Sequence, residues 1–158
     1  MARSITAFVL AMALVFAGGA TIAGSSVPTT DAGSRTGGGL TAYIGVIPAE
    51  IVKGHPSSHP EQTMHGGVPQ GRHEYHLIAA IFDAVSEARI SDAIVTAKIS
   101  GVGLAGSEQE LEPMKIENTI TYGAFIDLPG ADLYTIRLVI ERPGSGQVVT
   151  LDFKYDHR

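Results

Sequence analysis

Cysteine is absent from all 158 residues. No disulfide framework can staple the fold, and no lipobox thiol can take a lipid. Positive charge is scarce as well, with 11 Lys+Arg against 16 Asp+Glu for a formal charge of -5. That balance argues against nucleic acid or an anionic bilayer surface as the main partner. Helical periodicity longer than two turns is missing, so a helical bundle is excluded. Nucleophile and phosphate motifs are missing too. No Gly-x-Ser-x-Gly elbow stands between a strand and a helix, and Gly144-Ser145-Gly146 follows Pro143 as a turn. Residues 37–39 and 101–106 are glycine-rich but lack the strand-to-helix context and the lysine of a phosphate loop. We therefore expect no enzyme, and no small-molecule substrate.

What is present begins with a targeting pattern. Residues 1–23 carry one charge at Arg3, an apolar run over residues 5–16, and then small residues through Ala17, Gly18, Gly19, Ala20 and Ala23. This is the layout of a secretory signal peptide. An uncleaved anchor is the alternative, because the run stretched to Ile22 approaches the roughly 20 residues that span a bilayer. Cleavage would remove one of the 11 Lys+Arg and none of the 16 Asp+Glu, moving the charge from -5 to -6. The expectation is a soluble protein of the periplasm or beyond. Residues 24–39 are rich in Gly, Ser and Thr and read as a flexible linker. Residues 40–158 then form one domain large enough to bury its own core.

Within that domain, short apolar segments alternate with turn signals. Residues 40–52 form the first block, and Pro48 within it suits an edge or a bulge. Residues 74–84 are apolar on both faces, with Leu77, Ala79 and Ile81 opposite His76, Ile78, Ala80 and Phe82. Residues 93–99 alternate, residues 110–116 read as a polar edge containing Pro113, and Tyr122, Ala124 and Ile126 share a face of the next strand. After the Pro129-Gly130 turn, Tyr134, Ile136, Leu138 and Ile140 face one way. In the last strand Val149, Leu151, Phe153 and Tyr155 do the same. About seven short strands at such spacing predict an all-β fold, an immunoglobulin-like antiparallel β-sandwich. Tyr134, just past the turn into the penultimate strand, stands where sandwiches place a tyrosine that bonds back to the connecting loop.

Five of the six histidines, His55, His59, His65, His73 and His76, crowd into residues 55–76 beside Met64. Imidazole and thioether are neutral ligands that copper favours, and imidazole also suits zinc or iron. His76 is the one histidine inside a predicted strand. His73 lies three residues upstream, across an irregular entry that permits convergence. An isolated methionine is usually core filler, but Met114 follows Pro113 among the hydrophilic Glu110, Glu112 and Lys115, which leaves a role for its sulfur at a rim open. Met64-His65 precedes Gly66-Gly67 on a segment flexible enough to close over a site. His76, Met114, His73, His65 and Met64 are thus the candidate metal ligands. The carboxylates Glu108, Glu110 and Glu112 alternate along one strand as a solvated face, or as hard ligands for iron. A solvated Gly/Pro/Ser/His loop without metal is the competing reading.

Several segments occur in the order and spacing of a known family. They are Tyr43-Ile44-Gly45-Val46-Ile47-Pro48, His76-Leu77-Ile78-Ala79-Ala80-Ile81, Pro113-Met114, Tyr122-Gly123-Ala124-Phe125-Ile126 and Tyr134-Thr135-Ile136-Arg137-Leu138-Val139-Ile140-Glu141-Arg142-Pro143. Together they resemble the periplasmic iron-transport-associated proteins, which are immunoglobulin-like, commonly dimeric and copper-binding. The resemblance implies a histidine ligand at His76 and a methionine ligand at Met114. It breaks at Ile78, where the family has an acidic residue, and at Thr121, where it has a histidine. The short turn at residues 143–146 replaces a longer family segment that carries another histidine. The ending around Tyr134 is also similar to YtkA-like exported domains. The resemblance implies a metal carrier or transport accessory, with copper the favoured ion and iron second. Its partners would be an inner-membrane transporter or a second copy of the chain, through edge strands such as residues 40–52 and 110–116. The alternative is a non-metal structural or interaction module of the cell envelope, since sandwich folds host many functions.

Overall fold

The computed structural model describes residues 33–158, apart from the side chain of His65. The expected signal peptide and most of the expected linker lie outside the described residues. The elements run β1 (Ser34–Gly37), β2 (Leu40–Pro48), α1 (Ala49–Lys53), α2 (Pro60–Thr63), a 3-10 turn at Met64–Gly66, β3 (Glu74–Asp83), β4 (Ile94–Ser100), β5 (Ser107–Ile116), β6 (Thr119–Asp127), β7 (Leu133–Arg142) and β8 (Gln147–Asp156). Every strand pairing is antiparallel, in the order β1-β2-β3-β6-β5-β4-β7-β8. The result is an all-β, nearly closed sheet.

Alternation of small and branched apolar residues builds the core. Leu77, Ala79 and Ile81 of β3, Tyr122, Ala124 and Ile126 of β6, Tyr134, Ile136, Leu138 and Ile140 of β7, and Val149, Leu151 and Phe153 of β8 are all buried. Each large side chain so buried stabilises by roughly 1.5–3 kcal/mol before entropy is counted. The expected inward faces are the observed ones, except that Tyr155 is only partly buried against the cluster. The Tyr134 hydroxyl donates to the Pro129 carbonyl at 2.5 Å, as its position after the turn predicts.

Two local expectations are corrected and a third is extended. The linker does not extend to residue 39. Ser34–Gly37 is a strand, because Gly38 and Gly39 take φ of 57° and 78° and turn it back onto β2. A Cβ on Gly38 would stand 2.7 Å from Val149 Cγ2, so glycine is also what lets this hairpin tip sit on β8. There Gln147 Nε2 donates to the Gly38 carbonyl at 2.6 Å, and Arg35 Nε donates to the Asp152 carbonyl at 2.9 Å. Second, the 40–52 block is not an edge. β2 pairs on both sides, and Pro48 ends it rather than bulging it, after which Ala49–Lys53 is helical. Third, β5 has a single strand neighbour along each half, as expected of an edge. Its first half pairs with β4 and its second half with β6, so Pro113 sits where one strand passes between the two halves of the sheet.

One consequence positions the site. His76, Ile78, Ala80 and Phe82 point away from the core, yet His76 is completely buried. The covering layer is the connection between β2 and β3: α1 lies against β3, α2 against β5 and the 3-10 turn against β6. Among the described residues no helix is long and apolar enough to cross a membrane.

Candidate metal centre

Three neighbouring strands converge under that cover. β6 lies between β3 and β5, and Gly123 pairs with Ile78 on one side and Glu112 on the other. His76 and Met114 reach towards Gly123 from opposite sides. A Cβ built on Gly123 would lie 2.7 Å from His76 Nε2, 3.1 Å from Met114 Sδ and 2.5 Å from Met114 Cε. The imidazole nitrogen and the thioether sulfur therefore both stand within 3.1 Å of one point. Both residues are buried, Met114 at 2% exposure and His76 at 0%. The His76 ring packs on Phe125, its register partner, at 5.1 Å between centroids, which fixes its orientation.

The other edge of the His76 ring faces the cover. His76 Nδ1 is 3.9 Å from Glu61 Oε1, beyond hydrogen-bonding distance. Glu61, in α2, is itself buried at 4% exposure. Its second oxygen, Oε2, is 2.8 Å from His55 Nδ1 and 3.4 Å from His59 Nδ1. One ligand atom from each of His55, His59 and Glu61 lies within 4.8 Å of the others. A buried carboxylate is expensive unless hydrogen bonds, a cation or a metal compensate it. Two contacts hold this corner in shape: Gln62 Nε2 donates to the carbonyls of Val52 at 2.7 Å and His55 at 2.9 Å, tying α2 to the end of α1.

Of the residues singled out in the sequence, His76 and Met114 are brought together. Met64 is buried where the 3-10 turn meets β6. His73 is exposed at the entry to β3, outside the group under the cover, and there its backbone carbonyl accepts from Leu128 N–H at 2.9 Å. The His65 side chain lies outside the described part of the chain. Sequence reasoning misses Glu61 and Gly123, and takes His55 and His59 only as members of a histidine-rich segment. The spacing His55-x-x-x-His59-x-Glu61 is the available signal, but Pro56 and Pro60 hide it from any helical reading. The sixth histidine, His157, is elsewhere. Its ring lies among Tyr75, Tyr134 and Tyr155, with Nδ1 on the Gly130 carbonyl and Nε2 on the Tyr75 hydroxyl, both at 2.7 Å.

An open depression of about 560 Å³ lies on the same face, at the Asp83 end of β3. It is lined by Thr41, Tyr43, Ala80, Phe82 and Arg89 among others, and contributes no histidine or methionine.

No protein-family model matches the chain, and no curated protein matches it by sequence. Solved structures do match. A copper-bound variant of FetP from uropathogenic Escherichia coli strain F11 aligns with a TM-score of 0.61 at 14% identity, over 80% of this chain and 95% of that one. A copper-bound variant of Campylobacter jejuni P19 aligns with a TM-score of 0.58 at 13% identity, over 79% and 93%. A DUF4426 family protein from Pseudomonas aeruginosa PAO1 aligns with a TM-score of 0.61 at 13% identity, over 78% and 91%. At these identities the likeness establishes a shared fold. The chain thus bears a remote resemblance, in structure as in short sequence motifs, to the copper-binding proteins FetP and P19.

Proposed function

We propose that this chain is an exported metal-binding protein, with copper as its favoured ion and iron as the second choice, that serves as a carrier or accessory of metal transport and catalyses no turnover. The observation that carries this reading is the convergence of His76 Nε2 and Met114 Sδ on one point above Gly123. Nitrogen and thioether donors together suit copper in either oxidation state, and the absence of a Cβ at Gly123 leaves room beside them. The exported location rests on the signal-peptide pattern of residues 1–23. Strand order supports the immunoglobulin-like reading: β2-β3-β6-β5 set against β4-β7-β8 follows the ABED and CFG arrangement of that fold, with β1 added beside β2. A transporter or a second copy of the chain would receive the ion.

Cu(I) titration against a competing chelator tests the proposal. Wild type is expected to bind one equivalent, and His76→Ala and Met114→Ala are each expected to weaken binding at least about tenfold, or roughly 1.4 kcal/mol. Affinity unchanged in both variants would return the chain to the alternative of a metal-free interaction module.

A further inference from the structure

We infer that the cover over this sheet carries a second cation site, built from His55, His59 and Glu61 and suited to a borderline divalent ion such as Zn2+. It does not depend on copper binding at His76 and Met114.

The separation follows from the shape of imidazole. Its two nitrogens, one carrying the N–H and the other the lone pair in the neutral ring, point in different directions out of the ring edge. His76 Nε2 faces Met114 and Gly123, and Nδ1 faces Glu61 Oε1. An ion held by Nε2 and the Met114 sulfur is thus on the far side of the ring from Glu61. The ring stands as a partition between a nitrogen and sulfur pair beneath it and a cluster of two nitrogens and a carboxylate above it.

The upper cluster has the chemistry of a zinc site. Two imidazoles and one carboxylate are a common three-ligand set, with the fourth position left to water. Zinc takes these donors at about 2.0–2.2 Å in a tetrahedron, which sets ligand atoms about 3.3–3.6 Å apart. Of the distances to Glu61 Oε2, 3.4 Å from His59 Nδ1 matches that separation, and 2.8 Å from His55 Nδ1 is a hydrogen-bond contact that an ion would open by about half an ångström. The two imidazole rings lie 5.1 Å apart at 60°, so rotations of the side chains alone can aim both at one ion. Access is from solvent: the His55 and His59 side chains are 35% and 32% exposed, whereas the carboxylate beneath them is 5% exposed. A buried carboxylate beneath two partly exposed imidazoles is placed to receive a cation that need not cross the sheet.

Titrating the exported chain with Co2+ alone, then displacing it with Zn2+ alone, tests the inference. Tetrahedral Co2+ absorbs in the visible. One equivalent is expected to produce that spectrum in wild type and in Met114→Leu, with equal Zn2+ affinity. Glu61→Gln, nearly isosteric, and the surface double variant His55→Ala/His59→Ala are expected to lose the spectrum and to bind Zn2+ at least about tenfold more weakly. Cu(I) affinity should stay within about threefold of wild type in the double variant. Absence of the Co2+ spectrum in wild type would overturn the inference and show that the His55–Glu61 contact only staples the cover. Loss of the spectrum in Met114→Leu would overturn it too, by showing that a single ion uses both halves.

Discussion

Gly123→Ala is expected to cut Cu(I) affinity at least about 100-fold while leaving a folded domain. The new methyl carbon would arrive 2.7 Å from His76 Nε2 and 2.5 Å from Met114 Cε, where non-bonded heavy atoms ordinarily sit about 3.5–4.0 Å apart. Met114 can swing its terminal methyl aside, because thioether chains are flexible. His76 cannot yield so cheaply, since its ring is wholly buried and packed against Phe125. The methyl therefore takes the very space in which nitrogen and sulfur would meet an ion. Crowding of this kind costs about 1–3 kcal/mol, partly offset because alanine loses less backbone freedom than glycine in a strand. Chelator competition paired with urea unfolding measures both quantities on the same sample. Wild-type affinity in Gly123→Ala would mean that copper does not sit between these two side chains.

Tyr122→Ala is expected to destabilise the domain by about 3–5 kcal/mol, a large part of the roughly 5–15 kcal/mol available to a domain. Tyr122 is completely buried on the core side of β6, one residue from Gly123 and on the opposite face. Its hydroxyl donates to the Ile90 carbonyl at 3.2 Å and accepts from Ala93 N–H at 3.0 Å. Burial, more than any neighbouring charge, pushes its phenol up from the ordinary tyrosine value, so it stays a neutral donor and acceptor. Truncation opens a cavity and strands both backbone partners. Tyr122→Phe isolates the hydrogen bonds and should cost about 1–3 kcal/mol. Because the ring faces the core, Cu(I) affinity should be unchanged in the Phe variant. Denaturant midpoints for the two variants check the magnitudes. Equal and small losses would show that the segment from Ile90 to Ala93 is not held by this hydroxyl.

Strand faces were legible because a period of two is a local property: Tyr134 to Ile140 and Val149 to Phe153 reveal their buried sides residue by residue. His76 and Met114 were legible as chemically unusual members of their strands. Their meeting point was not, because it depends on the register of β6 between β3 and β5, and on a glycine whose importance is the side chain it lacks. The cover escaped for a different reason. Five residues of α1 and four of α2 are too short for any apolar periodicity, and prolines at 56 and 60 read as loop. Glu61 in particular looks like an ordinary exposed carboxylate until the fold lays α2 against β5 and buries it. Likewise, Ser34–Gly37 reads as linker because its composition is polar. Only pairing with β2 and closure onto β8 make it a strand.

Copper-edge X-ray absorption of the chain loaded with one equivalent of Cu(I) tests the central claim most directly. The shared position of His76 Nε2 and Met114 Sδ predicts a first shell containing both nitrogen and sulfur scatterers, with the sulfur contribution lost in Met114→Leu and the nitrogen contribution reduced in His76→Ala. A shell of nitrogen and oxygen alone in the wild-type protein, unaltered by Met114→Leu, would contradict it.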